Sequence, residues 1–440
     1  MREAAKPAHR RWGPPFTGPG EQSATFVELF FDFVFVFALT EVTALTLHHL
    51  DWEGAARSLL IFWMIWWAWG QWTWALNPAD TEHGLVKVMT LVTTAIAFIM
   101  AASVGEAFGD GGGLWFAIPY VGVRASGLAI AMIVASENDE RLQGVMRFAL
   151  ASIPGLVIVI IGGLVDPDVR AWIWLAVAVT DIAASMIATS GGGWTLNAAH
   201  FVERHALFVI IALDESLIVV GVIVTNAERT TEIVSVAIGA VTVICLLWWS
   251  YFGWLNGAFE SQLEREPHET EVQLARDAGT LLHFPVIGGI IGIAVGFEEM
   301  VLHPDRPLET AGMVALAAGL VLFIGGGAAV WARVGKQLLL PRLGLLAALA
   351  LFFAADAQAA RRARDRRGGG RRDRHRRADT ASGEAPDRGG LKLARPSTPS
   401  RRRACCATHR GRQRWPRGRP ARPGGRPAPR RIARVPRAAP

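Results

Sequence analysis

The first 357 residues of this 440-residue chain hold eleven apolar stretches of roughly 18 residues or more, the length that crosses a bilayer. Nothing constrains the fold more. Backbone N–H and C=O groups inside lipid must be satisfied within the segment, so each stretch is expected to be a helix. They fall at about 26–47, 56–76, 87–105, 114–134, 147–165, 170–189, 203–224, 232–255, 280–297, 312–332 and 338–355. The expected fold is an all-α polytopic membrane protein, which sets aside a soluble enzyme built on one large core. Residues 1–25 form a polar lead rich in Pro, Gly and basic groups. It holds no short apolar region before a cleavage site, so no signal peptide is expected there.

Charge divides the chain in two. Residues 359–440 carry 27 of the 45 Lys and Arg but only 5 of the 38 Asp and Glu, so the rest of the chain is acidic. Before the tail, an N-terminus in the cytoplasm puts twelve basic residues on the inside. It leaves only Arg57, Arg170, Arg229 and Arg306 outside, and the positive-inside rule therefore orients the chain. The connections are short except for Glu137–Arg147 and the acidic stretch Glu260–Asp277. Cys245 stands alone and Cys405 and Cys406 are adjacent in the tail, a pattern that suggests neither a disulfide framework nor a zinc site.

Within the first span, Val27–Glu41 reads VELFFDFVFVFALTE and carries Glu28, Asp32 and Glu41. A charge at the centre of a membrane helix costs about 2.5–3.5 kcal/mol on insertion scales, so such groups face a protein interior or a pathway. A weaker copy, VERHALFVIIALDES, returns at Val202–Ser216. Each copy is followed by an aromatic second span, with Trp66, Trp67, Trp69 and Trp72 in the first and Trp248, Trp249, Tyr251 and Trp254 in the second. Each third span ends on a small-acidic signature, Val104-Gly105-Glu106 and Val295-Gly296-Phe297-Glu298. The recurrence points to two parallel six-helix repeats, 26–190 and 200–357, a design in which a site forms between the halves. The second repeat shows five spans, so a twelfth helix is expected. The abrupt change after Ala357 fits a shifted reading frame replacing it, with a basic disordered tail at 358–440 as the alternative. That tail has no aromatic interleaving beyond Trp415, so no nucleic-acid partner is expected; the lipid bilayer is the expected partner.

The run Val27-Glu28-Leu29-Phe30-Phe31-Asp32-Phe33-Val34-Phe35-Val36-Phe37-Ala38, with His200-Phe201-Val202-Glu203-Arg204-His205, Leu207-Phe208 and Ala212-Leu213, resembles the bacterial low temperature requirement A (LtrA) family over roughly residues 24–357. The resemblance implies a multi-pass membrane protein. In that family the second motif reads Ala-Leu-Gly-Glu-Ser, and Asp214 stands here in place of the glycine. The first motif is also similar, in register, to the first helix of the endolysosomal and bacterial potassium channels built around Phe-Ser-Asp. Phe31 stands where that family has Ser, and the bulkier Phe37 near its pore isoleucine.

Several residues could carry chemistry, each with a duller alternative. Glu28 and Asp32 share a helix face that Thr43 extends. This stripe is a candidate cation or proton path, or else a set of interhelical hydrogen bonds. Glu203 and Asp214 share another stripe, with Glu215 about 100° away. Arg204 there either belongs to a path or pairs with a carboxylate to lock the two halves. His283 is a titratable group inside a span or a satisfied interior histidine. Arg124 needs a partner among Glu106, Asp181, Asp32 and Glu28, and a pair with Asp181 makes both structural. His200, Glu203 and His205 lack the spacing of a zinc helix, so no metal or other cofactor is expected. The tryptophans from Trp63 to Trp74 are expected to form an interfacial belt, and Gly288, Gly289, Gly292 and Gly296 to allow close helix packing. The leading expectation is transport of a small cation or proton without enzymatic turnover. The alternatives are a structural or sensory protein for growth in the cold, and a membrane enzyme using His200, Glu203, His205 and His283.

Overall fold

A computed structural model describes residues 15–18, 22–190, 192–226, 230–302 and 308–335. The expected span at 338–355 and the tail at 358–440 lie outside these residues. The first half contains α1 (Phe26–His48), α2 (Trp52–Leu76), α3 (Gly84–Ala102), α4 (Gly113–Ala135), α5 (Asp139–Leu164) and α6 (Pro167–Ser190). The second contains α7 (Ala198–Asn226), α8 (Thr231–Ser250), α9 (Asn256–Arg265), α10 (His268–Leu274), α11 (Leu282–Leu302) and α12 (Thr310–Gly335). π-Helical segments at Tyr251–Leu255 and Ala275–Leu281 join α8 to α9 and α10 to α11. Among the described residues the one bridge between extended segments is Thr17 with Ala79. The stretch expected to be an acidic loop, Glu260–Asp277, is helical except around Glu266 and Pro267.

Local signals start the helices where they begin. Asp51 accepts from Gly54 N at 2.7 Å, and Asn138 from Arg141 N at 3.0 Å, each side chain filling an orphan donor of the first turn. Glu28 reaches back to Thr25, accepting from its N and Oγ1 at 2.9 Å each. Arg170 is no free loop charge. It is buried and donates to the carbonyls of Ala107, Gly109, Gly162 and Val165, closing helix ends that have no partner of their own.

Nine helical stretches among the described residues are long and apolar enough to cross a membrane. Their outer faces are greasy: Leu150, Ile153, Val157, Ile161 and Leu164 recur every three or four residues along α5, all exposed. An outer face of this kind is at home in lipid and costly in water. This is a multi-pass membrane protein.

α2 is the exception. It is long enough to span, at 25 residues or about 37 Å, yet it is not among the nine. Its tryptophans carry a polar indole N–H, yet three of them form the core. Trp66, Trp69 and Trp72 are at most 1% exposed, and each indole N–H is satisfied: Trp66 by Thr280 O at 2.7 Å, Trp69 by Asp32 at 2.8 Å and Trp72 by Val123 O at 2.9 Å. The expected interfacial belt is therefore overturned for this cluster. α2 sits among α1, α4, α6, α7 and α11, so Trp66, Trp69 and Trp72 meet protein on every side. Trp248, Trp249 and Trp254 are 45–67% exposed, on the outside of the second half.

α1 packs on α2 and α3, α3 on α4, and α2 on α4. In the second half α7 packs on α8 and α11, α11 on α12, and α9 on α12. α11 and α12 approach closely at glycines. A Cβ on Gly289 would lie 2.5 Å from Phe323 N and 2.7 Å from Gly319 O, both backbone atoms that cannot move aside. Gly289→Ala is expected to force the helices apart and cost about 1–3 kcal/mol. Gly325→Ala, where an added Cβ meets nothing within 4 Å, should be neutral. Thermal unfolding of the two variants in detergent checks the contrast.

Candidate functional site

The site forms where the first turns of α1 and α7 meet beneath α2. Asn77, at the end of α2, and Asn197, just before α7, exchange two bonds: Asn197 N donates to Asn77 Oδ1 at 2.7 Å, and Asn77 Nδ2 to Asn197 O at 2.9 Å. Asn197 Oδ1 then accepts from His200 N at 3.2 Å and starts α7. With the start of α7 held this way, Arg204 points at α1. Its two terminal nitrogens donate to Glu28 Oε1 and Asp32 Oδ1, each at 2.6 Å. The spacing of four residues places both carboxylates on one face, so a single planar guanidinium spans them. Trp69 Nε1 adds a third contact, to Asp32 Oδ1 at 2.8 Å, and His200 Nε2 lies 3.0 Å from Glu28 Oε1. Glu28, Asp32, His200 and Arg204 are all 0% exposed.

Not every polar atom is satisfied. Asp32 Oδ2 and Arg204 Nε are buried without a hydrogen-bond partner among the described residues. Two carboxylates share one guanidinium, with the His200 ring against Glu28.

A second layer lies beside it. His205 packs edge-on against Trp69, with ring centroids 5.1 Å apart, and against His283 at 5.3 Å. His283 Nδ1 lies 2.6 Å from Ala278 O and its Nε2 lies 2.8 Å from Tyr251 Oη. A carbonyl only accepts, so Nδ1 carries the proton and Nε2 accepts from the tyrosine. Both π-helical segments feed this layer, one through Tyr251 and the other through Ala278.

The other sequence candidates are placed elsewhere. Thr43 is buried and donates to Leu39 O within its own helix at 3.0 Å. Glu203 and Asp214 share a stripe, but on the face of α7 away from the Arg204 cluster. Glu203, half-buried, accepts from Ala24 N at 2.8 Å. It lines a cleft of about 340 Å³ with Gln22, Ser23, Asn256 and Glu260. Asp214 is exposed, and Glu215, half-buried, falls with His48, Glu298 and Glu299 in one electrostatic neighbourhood. Arg124 and Asp181 are paired at 3.0 Å, both 1% exposed, with Tyr120 Oη 2.7 Å from the same guanidinium and Gln71 bonded to its Nε. The four residues of the enzyme alternative do not converge: His200 faces Glu28, Glu203 faces the cleft, and His205 and His283 pack on each other. Among the described residues no group of three or more His, Cys, Asp or Glu is arranged to hold a metal ion.

The parts played by Asn77, Trp69, Gln71 and Tyr120 are not legible in the sequence. The only local signal for them was a polar or N–H-bearing side chain inside an apolar span.

The family model described as bacterial low temperature requirement A protein (LtrA) matches residues 23–363. The chain belongs to this family. A curated relative of this LtrA-family protein is an uncharacterized protein, RA0937, of Rhizobium meliloti (strain 1021). It is 28% identical over 332 residues, covering 73% of this chain and 80% of that protein. No solved structure matches. The likeness of the first motif to the potassium channels is not supported: the acidic face of α1 does not line an open path but is closed by Arg204 and Trp69.

Proposed function

We propose that this LtrA-family protein moves a proton or small cation across the membrane through the α1–α7 interface, with Asp32 as the exchanging carboxylate. One observation carries the reading: two fully buried carboxylates, Glu28 and Asp32, share the single guanidinium of Arg204. Two carboxylates against one guanidinium in a buried interior favour the uptake of a further positive charge. Asp32 Oδ2 is the unpartnered atom at which it would bind. When it does, the hold of Asp32 on Arg204 weakens and the contact between the halves loosens, which couples binding to movement of α1 against α7. Glu215 on α7 with Glu298 and Glu299 on α11, beside His48 at the end of α1, would attract cations to that end of the interface. The recurring neighbour order, first helix on third and third on fourth, supports two parallel repeats with the site between them. The excess of basic residues on one side supports a cytoplasmic N-terminus.

The full chain reconstituted in liposomes is expected to pass H⁺, Na⁺ or K⁺ down an imposed gradient, and Asp32→Asn to reduce that flux strongly. Glu203→Gln, in the adjoining cleft, should have a smaller effect. Wild-type traces that match empty liposomes for all three ions would sink the reading.

A second reading has its own observation. Arg204 ties residues 172 and 176 positions away, joining the halves as a structural lock. A structural or sensory membrane protein, as the family's low-temperature description also allows, would then lose stability in Asp32→Asn with no flux to lose.

A further inference from the structure

His283 is the histidine whose place inside a span draws attention, but its two nitrogens are engaged by Ala278 O and Tyr251 Oη. The free nitrogen belongs to its neighbour. His205 Nδ1 lies 2.8 Å from the carbonyl of Phe201, one turn back on α7, so Nδ1 carries the ring proton and Nε2 carries the lone pair. His205 is 1% exposed, and Nε2, which faces the backbone of Gly279, has no hydrogen-bond donor among the described residues. A basic nitrogen with no donor is a proton acceptor held in waiting. The indole of Trp69 touches both this ring and Asp32, whose Oδ2 is likewise unpartnered.

The surroundings narrow what can bind here. α1 contributes Glu28 and Asp32, already engaged with Arg204 from the helix of His205 itself. α2 presents Trp66 and Trp69, and α11 presents His283. Tyr251 donates to His283. On the second π-helical segment Gly279 lies against the ring, while Arg276 and Asp277 pair with each other at 2.6 Å and Arg333 joins Asp277 at 3.1 Å. An alkali cation needs several oxygen ligands, and the groups packed on His205 are mainly aromatic rings, with the backbone of Phe201 and Gly279 beside them. A proton needs only the lone pair.

We propose that the species moved is a proton and that His205 Nε2 is its second carrier, next to Asp32. This rests on the transport reading above. In the step, the O–H bond of protonated Asp32 breaks and an N–H bond forms at His205 Nε2, the two groups lying on either side of the Trp69 indole. Asp32 returns to the carboxylate form and recovers its pair with Arg204. His205 becomes imidazolium, keeps Nδ1–H on Phe201 O, and later gives up the Nε2 proton, which restores the starting state.

The test uses the full chain in liposomes loaded with a pH-sensitive dye, comparing wild type with His205→Phe, which preserves a ring against Trp69. Proton flux in His205→Phe is expected to fall by about a hundredfold, the scale of a lost acid–base group. If wild type passes protons and a folded His205→Phe passes them equally fast, the carrier role is wrong and the transport reading survives. If wild type passes Na⁺ or K⁺ but no protons, the proton assignment is wrong. If it passes none of the three, both readings fail together. Should His205→Phe not fold, ¹⁵N spectra of histidine-labelled wild type decide. An unprotonated Nε2 on His205 that shifts in Asp32→Asn is expected, and an Nε2 that carries the proton at rest, or ignores Asp32, overturns the proposal.

Discussion

Arg204→Ala is expected to lower stability by about 3–5 kcal/mol, because it strands two buried carboxylates that now share one guanidinium. Glu28 and Asp32 sit one turn apart on the same face. Without the cation between them they repel each other across a medium that screens poorly. The loss should be partly reversible from the other side: adding Asp32→Asn or Glu28→Gln to Arg204→Ala removes one stranded charge and is expected to recover a good part of it. Arg204→Lys should fall between, since an ammonium is a point charge and cannot span both carboxylates with a planar fork. Denaturant unfolding in mixed micelles reads all four variants on one scale. An Arg204→Ala protein within about 1 kcal/mol of wild type, the range of an ordinary substitution, would mean that the network does not hold the halves together.

The helices were legible because their cause is local. Apolar runs act within one segment, and the expected spans fall on α1–α8, α11 and α12, although α5 begins at Asp139, within the expected Glu137–Arg147 connection, and α9 and α10 replace most of an expected loop. Legible too was the shared face of Glu28 and Asp32, which follows from helical periodicity alone. What closes on that face was not, since Arg204 lies 176 residues from Glu28. The tryptophans of α2 and of α8 look alike in sequence and end up on opposite sides of the protein surface, because burial depends on which helices surround each one. The case of His205 and His283 is subtler. Both are buried histidines, and only the carbonyls and the tyrosine around them decide which keeps a free lone pair.

The pair Arg124–Asp181 provides the contrast that separates structure from function. Arg124→Ala is expected to cost about 3–5 kcal/mol, like Arg204→Ala, since Asp181 is left charged and 1% exposed. Here, however, the charges balance one to one, and Gln71 and Tyr120 add bonds to the guanidinium, although Arg124 Nη2 and Asp181 Oδ2 are buried without a partner among the described residues. It is this one-to-one balance, and not the partnering of every atom, that sets the cluster apart from the one at Arg204. Replacing both partners with apolar side chains, Arg124→Met with Asp181→Leu, should therefore recover most of the loss. What stays behind is roughly the 1–3 kcal/mol of Gln71 Oε1 left without its donor. Ion flux in that double variant should match wild type once the amount of folded protein is equalised. The corresponding swap at the other cluster, Arg204→Met with Asp32→Leu, is expected to abolish flux however well it folds. Equal flux loss in the two double variants would mean that buried charge serves only to pack helices in both places, and Asp32 would lose its claim to the pathway.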